Sequence, residues 1–587
     1  MSVPVPSFSL LSEPWIPVRD LTTGTYRQVG LTEALTRAHE LELVATGDAS
    51  TPAGQEYAVL LRVLLAAYDA AAGPADRAEW AAAWTAPALD ADRITTYLNR
   101  WAHRLDLYAP HRPAFQADGL TEYPRPHPFL NPVFLGGKTG RWFGGADVMD
   151  RPGPLPAAEA ARYVLIRCAY DVSGIKAGIG GGRTYGAWLG PLGTPTHLTL
   201  TARTLKDELL LNLPPAPRAA GDMPVWERPD PLPLTPGASA PVPGRLAWWT
   251  WPARLLRLLP DEHGAVTAFA WHDGLRPSDG TSAAARSHDP LTAWAGPDHR
   301  LPPPGAGWTW YAGSALLGCS PVVEHAVRAA EDGILAPGLR VRVRVSSTAY
   351  NQHFTVMTDS PHAACTLGSA ALLAVAGSRA RLAAAAHFAA SAPRAIARVC
   401  ADHPDIVQCL NLYLPDLTTA WAQLVDGLEA GQADDALARW RARVTDAAVD
   451  LAHRQMRTRT RIPAHKARVA AEVEEQIRRY LAAIPPHALP LHQGGEKAEP
   501  AARPAPRRKP PVPRPRRATT AKRPKTAKRP LRAFGADFPS PYALSMDPRC
   551  VVSYPTILKR LREEPELTAE EAASIPPTRG RPAAPRA

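Results

Sequence analysis

Cysteine is scarce and scattered in this 587-residue chain. Its six cysteines, Cys168, Cys319, Cys365, Cys400, Cys409 and Cys550, never form a CxxC pair. That excludes a disulfide framework and a zinc cluster, so they read as buried free thiols of a reducing compartment. The opening MSVPVPSFSLL lacks the basic and long apolar regions of an export signal, and no run approaches the apolar length of a membrane span. A cytoplasmic protein with no membrane association is expected. Acidic residues are missing altogether from Ala501 to Phe534, a stretch that holds thirteen Lys and Arg. The whole of the formal charge of +12 therefore sits in one tail, and removing those thirteen leaves 54 basic against 55 acidic residues. The body is not a basic glove for nucleic acid, and any contact it makes with DNA must be local or shared with partners.

What is present is a globular body of 45% hydrophobic composition with sixteen Trp, ample for a core. Short strands mix with helices from Ser9 to about Asp359. "GQEYAVLLRVLLAAYDAAA" (Gly54 to Ala72) and "AAEAARYVLIRCAY" (Ala157 to Tyr170) read as helices, and "RVRVRVSS" (Arg340 to Ser347) alternates like a half-buried strand. Ala- and Leu-rich segments at helical spacing follow: Cys365 to Val375, Arg379 to Ala401, Pro415 to Met456 with a break near Gly431, and Ala464 to Ala483. Short connections between long amphipathic helices favour an antiparallel bundle. The fold class expected is α+β: an irregular mixed α/β N-terminal body (1–359), a C-terminal antiparallel four-helix bundle (360–490), and a basic Pro-rich linker (491–533) in which "TAKRP" occurs twice. A small terminal module (534–587) closes the chain, with a capping box at Thr568/Glu571.

Motifs for catalysis are weak. "FLGGKTG" (Phe134 to Gly140) has the Gly-Lys-Thr end of a phosphate-binding loop, but Pro132 stands where the motif needs its first Gly. His272-Asp273 and His288-Asp289 match the dipeptide of metal-dependent phosphohydrolases, yet lie among Gly, Pro and Ser with no supporting His and Asp set. "GIGGGRTYG" (Gly178 to Gly186) is more informative: four Gly in five residues let a backbone approach another surface closely and offer its amides as donors. A flexible surface loop is the bland alternative. "STAYNQHFTV" (Ser347 to Val356) sets the amides of Asn351 and Gln352 between Tyr350 and Phe354, directly after the alternating strand.

Several segments, in order, resemble the large subunit (CasA family) of Cascade, the type I-E CRISPR surveillance complex. They are "SFSLLSEPWIPVRD" (Ser7 to Asp20), "PHRPAFQADG" (Pro110 to Gly119), "LPAAEAAR" leading into "GIGGG", "GTPTHLTLTARTLKDELLLNL" (Gly193 to Leu213), "DPLTAW" (Asp289 to Trp294) and "AYNQHF". The resemblance runs from about Ser7 to Ala483 and leaves the tail unexplained. It implies a binding subunit without catalysis, metal or cofactor, which recognises the protospacer-adjacent motif in double-stranded DNA, wedges the duplex open and helps hold the R-loop while guide RNA reads the sequence. Implied partners are the CRISPR guide RNA, target DNA, the backbone, belt, cap and small subunits, and a separate helicase-nuclease.

By the same resemblance Asn351, Gln352 and His353 form the tip of the wedge hairpin. A side-chain amide offers both donors and acceptors, which suits permissive minor-groove reading. The family commonly has Ala where this chain has His353. Gly178, Gly180, Gly181 and Gly182, followed by Arg183, correspond to the glycine loop laid against the minor groove. The family's groove-reading lysine falls near "HDGLRPSDG", where Arg276 is the nearest cation. "NPVFLGGKTGRWFGG" (Asn131 to Gly145) takes the place of the motif-sensing loop, with Lys138 and Arg141 as phosphate contacts and Phe134 and Trp142 as stacking groups or anchors. The basic turn containing Arg457, Arg459 and Arg461 either brushes DNA or is a solvated connection. Two readings compete: a metal-dependent nuclease using His272, Asp273, His288 and Asp289, and a non-specific DNA-coating protein acting through its tail.

Overall fold

A computed structural model describes residues 6–44, 53–120, 124–130, 155–174, 188–293 (without 194 and 236), 320–350, 357–359, 362–399, 415–457, 463–484, 531–538 and 568–574, with isolated positions 122, 153, 544, 557 and 561. By its internal contacts the chain divides into two compact units, Met1–Gly494 and Gly495–Ala587.

The first unit begins with a three-stranded sheet in which Ile16–Asp20 lies between Tyr26–Val29 and Leu41–Leu43. Asp20 forms the tight turn by accepting the amides of Thr22 and Thr23 on Oδ1 at 3.0 and 3.1 Å. The helix Ala53–Ala72 packs on the helices Ala91–Arg100, Ala157–Tyr170 and Arg245–Trp249 and is buried on nearly every face, as its continuous apolar text requires. Its three buried polar residues each reach a different segment: Gln55 donates to Thr348 Oγ1 (3.1 Å), Glu56 pairs with Arg162 (3.1 Å) and Arg62 with Asp289 (2.9 Å). Such pairs fix register, because any slip would strand a charge in the core. The helix Ala157–Tyr170 matches its expected bounds.

An antiparallel four-stranded sheet carries the order Thr292–Ala293, Thr196–Thr201, Arg340–Ser346, His362–Ser369. Along Arg340–Ser346 the valines point inward: Val341, Val343 and Val345 are buried while Arg340 and Arg342 are exposed, the pattern that alternation predicts. The sheet corrects one expectation. Residues 365–369 do not begin a helix but belong to the strand His362–Ser369, paired with Arg340–Ser346 through Val343↔Cys365, and only Ala370–Ala374 forms a short helix after it. A second sheet orders Arg125–Pro126, Val266–Asp273 and Arg254–Pro260.

Four helices follow, Ala376–Val399, Pro415–Glu429, Ala433–Arg457 and Pro463–Ala482. The first packs on the third and fourth, and the third on the second and fourth. Gly431, at φ 76°, makes the expected break between the second and third. Trp421 and Trp440 meet edge to face at 5.4 Å, and Trp421 Nε1 donates to Thr366 O at 2.9 Å, joining the helices to the sheet. No single helix among the described residues is long and apolar enough to cross a membrane.

In the second unit the strands Leu531–Ala533 and Ala536–Phe538 form a hairpin, and Ala533, Leu544, Ile557 and Ala569 make a small core. The helix Ala569–Ser574 has its reciprocal capping box: Glu571 N donates to Thr568 Oγ1 (3.2 Å) and Thr568 N to Glu571 Oε2 (2.9 Å).

Candidate nucleic-acid interface

The helix Ala157–Tyr170 delivers the chain to residues 175–187, and the two ends of that segment are held together at their base. Arg254, fully buried at the start of its strand, donates Nε to Asp171 Oδ2 at 2.5 Å and Nη2 to Val172 O at 3.3 Å. The same Nη2 donates to Trp188 O on the returning side. Gly190 N closes the base on Asp171 O (2.9 Å), and Leu192 N on Ala169 O (3.0 Å). Arg167 supplies a second cation to Asp171 at 2.8 Å, and its guanidinium lies 4.3 Å from the centre of the Trp271 ring. Burial holds Arg167 below the usual arginine range, opposed by Asp171. Desolvation likewise pushes the Cys168 thiol up to about 12, so the one cysteine described as free is inert packing rather than a nucleophile.

The hairpin rises from the same place. Its stem pairs Ala349↔Asp359 and Tyr350↔Met357, with an irregularity between 349 and 350, and residues 351–356 connect the two strands in sequence. Tyr350 donates its hydroxyl to Tyr170 O at 2.7 Å, on the last residue of the helix that leads to the glycine segment. A Cβ on Gly193 would sit 2.8 Å from that hydroxyl, which explains a glycine there. Burial raises the Tyr350 phenol well above its ordinary range, keeping it a neutral donor.

Arg276 joins this base from the strand Arg276–Pro277. Its Nη2 lies 2.8 Å from Asp273 Oδ2, and Asp273 Oδ1 lies 3.7 Å from Arg254 Nη1. The charges therefore alternate from half-exposed Arg276 through Asp273, Arg254 and Asp171 to Arg167. Sequence reasoning placed Arg276 at the site but missed Arg254 and Asp171. The available signal was an arginine at the head of the apolar strand "RLLRLLP" and an aspartate closing an apolar helix, since such charges are buried only when paired.

Asn351, Gln352 and His353, the glycines Gly178, Gly180, Gly181 and Gly182 with Arg183, and Phe134, Lys138, Arg141 and Trp142 lie outside the described residues, as do Arg459 and Arg461. Arg457 ends the helix Ala433–Arg457. The His-Asp dipeptides have structural employment. Asp273 faces Arg254 and Arg276, and His272 Nδ1 lies 3.0 Å from Asp273 O. Asp289 is held by Arg62, by Trp249 Nε1 at 3.2 Å and by Thr292 Oγ1 at 2.9 Å. Among the described residues no three His, Cys, Asp or Glu side chains gather as a metal site.

Residues 9–451 match the family described as CRISPR-associated protein Cse1. The chain is similar to the CRISPR-associated protein CasA/Cse1 of Thermus thermophilus, with 36% identity over 295 residues, 49% of this chain. The match spans about half the length of that relative, 54%. The solved structure of Cse1 from Acidimicrobium ferrooxidans superposes with a TM-score of 0.62 at 25% identity, covering 82% of this chain and 98% of that one. A chain of a CRISPR RNA-guided surveillance complex shares the fold at a TM-score of 0.62 and 18% identity, covering 81% of this chain and 100% of that one.

Proposed function

The chain belongs to the Cse1 family of CRISPR-associated proteins, the large subunit of type I-E Cascade, and from that premise we propose that it recognises the protospacer-adjacent motif in double-stranded DNA and wedges the duplex open. In this reading the glycine loop (Gly178, Gly180, Gly181, Gly182, with Arg183) lies against the minor groove beside Arg276. The amides of Asn351 and Gln352, with His353, enter the first base pair beyond it. Lys138 and Arg141 touch phosphate. The four helices form an antiparallel bundle whose basic turn, Arg457, Arg459 and Arg461, helps hold the R-loop. The subunit acts with guide RNA and the backbone, belt, cap and small subunits, and a separate helicase-nuclease cuts.

The observation that carries the proposal is the common base. Tyr350 and Arg254 tie the stem of the hairpin and both ends of the glycine segment to one buried point, so a reader and a wedge would move as one body. A nuclease reading is disfavoured because the two aspartates it needs are neutralised by arginines. The test is Gln352→Ala in the assembled complex. R-loop formation on intact duplex falls far more than on DNA already opened beside the motif, because pre-opening removes the cost of unpairing that a wedge addresses. Equal loss on both substrates would make Gln352 a folding or general binding residue.

A further inference from the structure

The strand Val266–Asp273 ends in a buried carboxylate. Past Asp273 the chain turns in a space that admits only glycine, because a Cβ on Gly274 would collide with Pro252 O. The amides of Gly274 and Leu275 donate to Ala253 O (3.1 Å) and Pro252 O (3.0 Å), and Arg276 N donates to Ala238 O (2.9 Å). Arg276–Pro277 then runs parallel to Ser239–Ala240. Main-chain bonds on both sides fix where Arg276 leaves the backbone.

Asp273 fixes the side chain in turn. It is 1% exposed, and a carboxylate is kept at such a place only against cations. Its Oδ2 accepts from Arg276 Nη2 at 2.8 Å. Its Oδ1 stands 3.7 Å from Arg254 Nη1, beyond hydrogen-bond reach, and has no hydrogen-bond partner among the described residues. Arg254 meanwhile gives its short hydrogen bond to Asp171. Asp273 is thus committed by hydrogen bond to Arg276, and by charge to the arginine that clamps both ends of the glycine segment. The Arg276 side chain is 36% exposed, while those of Arg167, Asp171, Arg254 and Asp273 are 6% exposed or less. Arg276 is where this network meets a ligand.

A guanidinium held at Nη2 has a fixed plane of donors and no acceptor. The minor groove of an A·T or T·A pair offers acceptors alone, whereas G·C adds the donor amino group of guanine. Donor facing donor forfeits hydrogen bonds on both sides, so the pair that Arg276 faces is selected for lacking that group. An arginine without this restraint swings toward phosphate, which carries no sequence information. We propose that Asp273 is the positioning residue for motif reading: it aims Arg276 at the floor of the groove and makes the motif intolerant of the guanine amino group at the pair Arg276 faces. The inference rests on the minor-groove reading above and adds to it the class of base pair that one position accepts.

Binding of the assembled complex to duplexes in which each motif pair in turn is G·C or inosine·C tests it. Inosine lacks the amino group in the minor groove and leaves the major groove of G·C unchanged. At one motif position the wild type binds inosine·C about ten-fold more tightly than G·C, the worth of a good base contact. Asp273→Asn and Arg276→Lys each bring that ratio to about two-fold or less. The first loosens the guanidinium toward phosphate, so it raises affinity for motif-free duplex and steepens its salt dependence, which a loss of structure would not do. The second keeps the charge and leaves Asp273 in place but lacks the planar fork, and it decides the question if Asp273→Asn does not assemble. The inference is overturned if motif preference is present but no position separates inosine from guanine, if the ratio survives either substitution, or if Asp273→Asn weakens motif-bearing and motif-free duplexes alike. A wild-type complex with no preference for motif-bearing over scrambled duplex overturns the motif reading beneath it as well.

Discussion

The Tyr350 hydroxyl donates to the Tyr170 carbonyl at 2.7 Å across 180 positions of sequence. That bond joins two segments separated by most of the body. On one side the helix Ala157–Tyr170 ends and the glycine segment begins. On the other the hairpin stem leaves the central sheet. If the hairpin opens the duplex that the glycine loop reads, the bond is what keeps the wedge aimed at the pair beside the motif.

Replacing Tyr350 by Phe keeps the ring and removes the donor. The Tyr170 carbonyl then loses this partner, a loss of about 1–3 kcal/mol. Within the assembled complex we expect motif-dependent binding to pre-opened DNA to stay near wild type while the rate of opening intact duplex drops about ten-fold. Stopped-flow fluorescence from a base analogue beside the motif measures both. Equal losses in binding and opening would reduce Tyr350 to a core residue.

Arg254 is the stronger clamp, and its removal should be felt in stability. Arg254→Met fills the same space but takes one arginine from Asp171, which keeps Arg167, and one from Asp273, which keeps Arg276. Breaking a buried pair costs about 3–5 kcal/mol, and the remaining cations argue for the low end. Expected results are a lower thermal midpoint and, before global unfolding, faster proteolysis within residues 175–187, read by mass spectrometry. Unchanged cleavage there would show that the loop base does not depend on this arginine.

These contacts also mark where sequence reasoning stops. The strand Arg340–Ser346 was legible because its alternation leaves it one buried face, and the helix Ala157–Tyr170, buried on nearly every side, because its apolar run is too long for a strand. Residues 365–369 were misread as helix because "CTLGSAALLAV" is an uncharged, mostly apolar stretch that runs unbroken into a true helix and is compatible with either element. Pairing with Arg340–Ser346 and the Trp421 bond to Thr366 O decide it. The candidate hairpin and glycine segment stood out by their residues and took their roles from resemblance, and their shared base was invisible to both. Arg254 meets Asp171 across 83 positions, and nothing local to either residue announces its partner.

A pH dependence follows from Glu208. It is buried, accepts a short hydrogen bond from the Tyr57 hydroxyl and an amide from Ala202 at 3.4 Å, while the Arg344 guanidinium lies 3.8 Å from the centre of the Tyr57 ring. Burial raises its pKa to about 7. The folded state then holds a proton that the unfolded state releases near pH 4.5, so the stability associated with protonated Glu208 is full below that pH and is lost as pH rises through about 7. Buried His197, depressed to about 3, acts in the opposite sense, contributing stability above its unfolded value and losing it as pH falls. The informative quantity is therefore the difference between wild type and Glu208→Gln. Going from pH 5 to pH 8, wild type should lose on the order of 3 kcal/mol relative to the variant, seen as converging or crossing thermal midpoints. Parallel pH profiles would mean that Glu208 is ionised throughout the range.

The last prediction concerns the tail, which holds thirteen basic residues between Ala501 and Phe534 yet lies beyond the family match at residue 451. Prolines separate those cations and no acidic residue relieves them, so the segment is suited to contacting phosphates without reading bases. Each phosphate neutralised on duplex DNA adds about 0.9 to the slope of log affinity against log salt. Truncation after Leu491 should therefore lower non-specific DNA affinity at low salt and flatten its salt dependence, while motif preference stays unchanged. Filter binding across a salt series on motif-bearing and scrambled duplexes reads both. An unchanged slope would make the tail a spacer that tethers the small core around Ala533 and Ile557. Altered motif preference would mean that recognition does not reside in the body alone, and it would move the proposed reader away from the base that Tyr350 and Arg254 build.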